Sequence, residues 1–294
     1  MINITRPNFI ASARRLLFLV FFFINGLNPL FAEAEIIPFA KNFALNFYGN
    51  FNIVNFASKE NRNYTSASPW SIGLGIRYKN ISARLFLPLW FENNPFDIQL
   101  NSYYEKVYYE SFFRQYKNFY RDQDNGGDKY PVSGFDILST GILAGWIQNN
   151  KRHSLGSVYN LDKKQTESSG SFLYGFGVFY TSINSTGEDS PGYSERQHLI
   201  YFGPAGGYSY TWVFPHDLFC NVNLTTGLNM GINAVSGTIL FVPQIMPKFA
   251  VGYHGKSWSV NVIGGCTYTT MLWPDNGFDS LLAATMTLAF SRRF

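Results

Sequence analysis

The chain has 294 residues, of which 14% are charged and 18% aromatic, with a formal charge of +4. A water-soluble domain carries about a quarter charged residues, and no apolar run here approaches the roughly 18–20 residues of a membrane helix. The modest charge, without any Lys/Arg run, excludes a nucleic-acid reader. Few charges, many aromatics and near-neutral mean hydropathy fit a membrane β-barrel, where apolar and polar residues alternate and cancel in any window.

The chain begins with Arg6, Arg14 and Arg15 ahead of the apolar run 16–24, which Asn25, Gly26 and Pro29 break before Ala32-Glu33-Ala34. Basic, then apolar, then small residues is the order of a secretory signal peptide, and the run is too short for an anchor. Residues 1–34 are therefore expected to be a cleaved leader, with Ala32 the alternative cleavage site. Residues 35–294 are expected to form one exported domain.

The first strand-like run, 43–56, alternates Phe43, Leu45, Phe47, Phe51 and Ile53 with Asn46, Tyr48, Asn50 and Asn52. Run 70–79 sets Trp70, Ile72, Leu74, Ile76 and Tyr78 against Ser71, Gly73, Gly75, Arg77 and Lys79. This period of two marks strands with unlike faces. Similar runs at 81–89, 96–104, 107–117, 135–148, 171–183, 198–214, 218–232, 241–253, 258–271 and 279–294 bring the total to twelve. Several exceed the usual five or six residues of a globular strand and suit the roughly 9–11 of a tilted membrane strand.

Short links at 79–80, 105–106, 215–217 and 254–257 alternate with long ones at 57–69, 89–95, 118–134, 184–197, 233–240 and 272–278. Short periplasmic turns and longer outer loops at opposite ends of a barrel produce that alternation. Residues 149–170 break it. They read equally as an extra hairpin, a periplasmic flap or a segment folded into the lumen. Trp70, Tyr78, Trp90, Tyr104, Trp212, Tyr253, Trp258 and Trp273 lie towards strand ends, where aromatic girdles meet the headgroups.

Turn arithmetic sets the register. A two-residue turn at 105–106 places Tyr103 opposite Tyr108, Asn101 opposite Glu110 and Asp97 opposite Arg114. The turn at 79–80 pairs Tyr78 with Ile81 outside and Arg77 with Ser82 inside. Arg77, Arg84, Asp97, Gln99, Asn101, Glu110 and Arg114 then share one wall of the lumen. They are either solute contacts or a structural network that satisfies buried polar groups. Gln244 and Lys248, with Asn221, Asn223, Asn229 and Asn261, line the other wall without evident pairing. Gly73, Gly75, Gly175 and Gly177 fall inside strands and read as packing glycines.

An enzyme needs a base beside a nucleophile. His216 and His254 read as turn residues, His198 lies near an outer rim, and His153 adjoins Ser154 in the irregular segment. No barrel-hydrolase motif is matched, so no catalytic residue is assigned. No Cys/His/carboxylate spacing suggests a metal, and no cofactor is implied. Cys220 and Cys266 fall on apolar faces of non-neighbouring strands and are expected to be free thiols facing lipid.

At 281–294 the set Leu282, Ala284, Met286, Leu288, Phe290, Arg292 and Phe294 alternates with smaller or polar residues. This resembles the closing strand of bacterial outer-membrane barrels. The resemblance implies that Phe290 and Phe294 are an assembly signal for the outer-membrane barrel assembly machinery, with outer-membrane lipid as the surrounding partner.

Residues 70–82 (WSIGLGIRYKNIS), 96–100 (FDIQL), 112–120 (FFRQYKNFY), Asn149 to Ser154, Lys163 and 170–172 are similar to a bacterial family known only as a domain of unknown function (family 4421), generally regarded as outer-membrane proteins. The family brings no reaction or site residues. It implies that the irregular segment belongs to the family pattern. The resulting expectation is a closed antiparallel transmembrane β-barrel of about 12 strands in a bacterial outer membrane, serving as a pore or binding barrel for small polar solutes. The alternatives are a rim hydrolase using His198 and a surface-interaction barrel using the loop 121–130.

Overall fold

The structure is a computed structural model and describes residues 36–60, 62–66, 70–89, 96–121, 129–186, 191, 193, 196–275 and 277–294. The expected leader and Trp90 lie outside the described residues, as does most of the loop 121–130.

Twelve long strands form the wall. They are β1 (Phe43–Ala57), β2 (Trp70–Tyr78), β3 (Ile81–Pro88), β4 (Asp97–Tyr103), β5 (Val107–Tyr116) and β6 (Phe135–Ile147). After them come β7 (Ser169–Ser185), β8 (Gln197–Phe214), β9 (Leu218–Asn233), β10 (Ile239–His254), β11 (Trp258–Leu272) and β12 (Phe278–Arg293). Each pairs antiparallel with the next, and β12 closes on β1 from Ser280↔Ala57 to Arg293↔Ala44. Closure leaves no edge along the seam, as a bilayer requires of any spanning sheet.

The faces fall as the period of two dictates. On β2, Ile72, Leu74 and Ile76 are 56%, 63% and 55% exposed, while Arg77 is 1% exposed. Leu228, Met230, Met286 and Leu288 continue this exposed apolar surface on β9 and β12. An oily outside around a polar inside reverses the pattern of a water-soluble protein and is that of a transmembrane barrel. Cys220 and Cys266 are free and stand on outward positions of β9 and β11. Inward glycines make room for inward rings. A Cβ on Gly73 would come 2.7 Å from Phe86 Cδ1, and one on Gly75 would come 2.9 Å from Tyr48 Cε2.

The wall is uneven. Strands β2 to β5 have 7–10 residues, whereas β7 to β12 have 15–18. At the loop end three short strands, Asn63–Ser66, Phe119–Arg121 and Tyr130–Pro131, extend the sheet from β1. The lumen there holds an apolar core that includes Val54, Phe56, Phe119, Phe135, Ile183, Leu199 and Val242. The Phe135 ring centroid lies 4.4–5.6 Å from those of Phe56, Tyr64 and Phe119.

The irregular segment enters the lumen at the turn end. One turn of wide helix, Gly156–Asn160, is followed by a strand, Lys163–Gln165, that pairs antiparallel with Ile36–Pro38. Leu155, Val158, Tyr159 and Leu161 are buried among Ile147, Leu173, Phe219 and Ala250 of the wall. Four apolar side chains placed there settle the three-way choice, because burial in the lumen removes them from water. The strand at Ile36–Pro38 has only three residues, too few to show a period.

One histidine differs from expectation. His254 is not a turn residue but the last residue of β10, 4% exposed, its ring centroid 4.6 Å from that of Phe219 and 5.7 Å from that of Phe39. Its inward phase puts it behind the N-terminal strap, residues 36–39, instead of in the turn. His216 does occupy the β8–β9 turn, with φ 62°.

Candidate functional site

The register of the charged wall is as the turns require: Tyr103↔Tyr108, Asn101↔Glu110 and Asp97↔Arg114 on β4 and β5, and Arg77↔Ser82 on β2 and β3. Between the loop-end core and the plug lies a chamber of about 140 Å³, lined by residues that include Arg84, Gln99, Asn101, Glu110, Arg114, Tyr159 and Lys248. Five of the seven expected wall residues line it, and Asp97 reaches it only through its ion pair with Arg114. Arg77 lies nearer the turn end, where its Nη1 donates to Lys79 O at 3.1 Å and its charge faces Asp162 of the plug.

One ion pair lies along the β4–β5 wall and a second crosses the lumen. Arg114 Nε meets Asp97 Oδ2 at 3.2 Å, and Gln99 Nε2 donates to the same oxygen at 2.9 Å. Lys248 Nζ reaches Glu110 Oε2 at 2.5 Å from the opposite wall, while the Tyr103 hydroxyl donates to Oε1 at 2.6 Å. The expectation that Lys248 lacks a partner is therefore corrected. Glu110 faces only Asn101 across the β4–β5 ladder, so its counter-charge has to come from across the lumen. Gln244 is also partnered, donating to Thr269 Oγ1 at 3.0 Å and accepting from Asn229 at 3.2 Å.

The plug forms the floor. Arg84 donates through Nη2 to Tyr159 O, and its guanidinium stands 5.4 Å from the Tyr48 ring centroid. The Tyr159 hydroxyl donates to Asn221 Oδ1 at 2.8 Å, Asn261 donates to Val158 O at 3.0 Å, and Ser82 donates to Asn160 Oδ1 at 2.7 Å. Tyr159 and the plug contacts were not among the expected site residues. Their only sequence signal was the one over-long link.

The chamber carries a surplus of positive charge. Arg84, Arg114 and Lys248 stand against Asp97 and Glu110. Among the described residues Arg84 has no carboxylate hydrogen-bonded to it, and its buried Nε lacks a partner. Unpaired buried donors are costly, and a small anion would satisfy this one. Beneath the chamber Arg293 donates through Nη1 to Ser259 Oγ at 2.7 Å and lies 3.7 Å from the Phe39 ring centroid, holding the strap over the plug.

Among the described residues no histidine is hydrogen-bonded to both a nucleophile and a carboxylate. His153 Nδ1 faces Ser169 O at 3.2 Å, whereas Ser154 Oγ accepts from Ser157 N, so the adjacent His153 and Ser154 are not paired. Burial pushes the His153 pKa down to about 4, keeping the ring neutral within the plug. His198 Nδ1 meets the Tyr180 hydroxyl at 2.7 Å on the outer face of β8. Its partner is a phenol, not an orienting carboxylate. Phe290 and Phe294 both point outward, with ring centroids 6.3 Å from Trp258 and 6.2 Å from Phe43 respectively.

Among solved structures the chain is similar to the outer membrane protease OmpT from Escherichia coli, with 7% identity, TM-score 0.39, and 91% of this chain and 99% of that one covered. It is similar also to the NanC porin, with 11% identity, TM-score 0.36 and 85% and 100% covered. The toluene transporter TbuX of Ralstonia pickettii shows 7% identity, TM-score 0.34 and 87% and 90% covered. No curated protein matches the chain by sequence. A family model does match, over residues 39–270, most of the barrel and the whole plug, and the chain belongs to that family, described as Domain of unknown function (DUF4421).

Proposed function

We propose that the protein is an outer-membrane barrel that holds a small polar solute, with anions preferred, in its mid-lumen chamber and does not form a standing pore. The observation that carries this reading is a charged chamber lying between an apolar core at the loop end and a folded plug at the turn end. An eight-stranded barrel is filled by its own side chains, and one of sixteen to eighteen strands leaves an aqueous channel. Twelve strands leave space that here is occupied by a segment of the chain itself. Outer-membrane lipid surrounds the apolar belt in this reading. The outward Phe290 and Phe294 serve the barrel assembly machinery.

Arg84 should set the anion preference. A charge-assisted hydrogen bond contributes about 1.5–3 kcal/mol, so Arg84→Met should weaken binding about tenfold or more. The test is calorimetric titration of the detergent-solubilised protein with inorganic phosphate, acetate and succinate, with folding of the variant checked by its thermal transition. A wild type that binds none of these, or a folded Arg84→Met variant that binds equally well, would contradict the proposal.

A further inference from the structure

Three cations gather on the outside of the barrel at the turn end, where β12 closes on β1. Lys41, Lys79 and Arg292 are all exposed, at the ends of three consecutive strands. The backbone holds these ends together. Lys79 N donates to Asn42 O at 2.7 Å, Phe294 N donates to Phe43 O at 2.9 Å, and Lys41 Nζ reaches Arg293 O at 3.5 Å.

Like charges on neighbouring strands repel, yet among the described residues no carboxylate pairs with any of the three. Lys79 Nζ lies 5.5 Å from the Tyr78 ring centroid, and Arg292 Nη1 donates to Ser257 Oγ at 3.2 Å. Glu105, in the neighbouring turn, has Lys106 beside it. Even with a carboxylate at Phe294 the patch keeps a surplus of positive charge.

Rings border the patch. Phe43, Tyr78, Trp258 and Phe294 are exposed on the same outward face, and Arg292 stands opposite Trp258 in the β11–β12 ladder. Aromatic rings take the headgroup level of a bilayer, and Lys and Arg reach from the apolar belt into the charged layer. Cations at that depth bind phosphate through charge-assisted hydrogen bonds, and the rings beside them cover acyl chains. A soluble phosphate would gain nothing from the rings, and a second copy of this chain would bring the same charges against these. We propose that the seam at the turn end binds an anionic phospholipid from the leaflet around it. The proposal rests on the barrel's place in a membrane and not on the chamber, whose anion test can succeed or fail without it.

The test is native mass spectrometry of the full chain released from micelles, titrated with dioleoyl phosphatidylglycerol or dioleoyl phosphatidylcholine. The two lipids share their acyl chains and differ in net charge. Attraction to an anionic surface strengthens binding about fivefold per Lys or Arg, so phosphatidylglycerol should bind at least about tenfold more tightly. That preference should shrink as ammonium acetate is raised. The triple variant Lys41→Gln, Lys79→Gln, Arg292→Gln should abolish it while leaving phosphatidylcholine binding unchanged. Lys106→Gln with Lys151→Gln, equally exposed at other turns, should leave it intact. All these side chains are exposed, so the variants should fold, as their thermal transitions will show. Equal binding of the two lipids, an equal loss in the Lys106 and Lys151 variant, displacement by millimolar glycerol 1-phosphate, or a lipid-free dimer would overturn the proposal.

Discussion

Replacing residues 150–170 by an Asn-Gly turn should make the mid-lumen chamber reactive from the turn end, by at least about 100-fold. The deletion is compatible with the hairpin, because Ile147 pairs with Leu173 and Gln148 N donates to Phe172 O at 3.1 Å. Asn149 then faces Ser171 across a two-residue turn, for which Asn-Gly is a preferred sequence. The probe is Thr285→Cys, at the chamber wall, in a chain whose Cys220 and Cys266 are replaced by alanine. With the plug in place, a water-soluble maleimide reaches that thiol only when the plug undocks. Leu155, Val158 and Leu161 are nearly fully buried, and each contributes about 1.5–3 kcal/mol. Undocking should therefore be rare, and a hundredfold protection needs only about 2.7 kcal/mol. Equal labelling rates with and without the plug would show that these side chains do not seal the lumen.

Glu110→Ala should lower stability by about 2–3 kcal/mol, and adding Lys248→Met should recover most of the loss. Removing one member of a buried pair leaves the other uncompensated, at a cost of about 3–5 kcal/mol. The side chains here retain 18% and 30% exposure, so the expected cost lies lower. The Tyr103 hydroxyl loses its acceptor in the same variant. Urea unfolding in micelles reads both numbers, and the double-mutant cycle isolates the pair. A cost below about 0.5 kcal/mol, or strictly additive effects, would place the pair outside the energetics of the lumen.

Much of the wall was legible because a strand repeats every two residues and a short turn fixes its partner's register. Asp97 opposite Arg114 and Asn101 opposite Glu110 followed from the two residues Glu105 and Lys106 alone. Ile72, Leu74 and Ile76 declared their outward face by alternating with Ser71, Gly73 and Gly75. What lies across the lumen was not legible. Lys248 and Glu110 are 138 residues apart in sequence, and no local rule relates two walls of a barrel. The plug was visible only as a link of the wrong length, because a five-residue turn of wide helix and two three-residue strands are too short for periodicity. The loop-end core was hidden for another reason. Phe135, Ile137, Ile183 and Leu199 occupy inward positions flanked outside by Asp136, Asn184 and His198, so apolar-in and polar-out there reverses the rule read from the rest of the wall.

The central claim is a membrane-embedded barrel whose lumen is closed, and solute efflux from proteoliposomes tests it most directly. Vesicles loaded with phosphate and carrying the folded, protease-protected protein should leak no faster than empty vesicles. Efflux that rises in proportion to the inserted protein, with the plug intact, would contradict it.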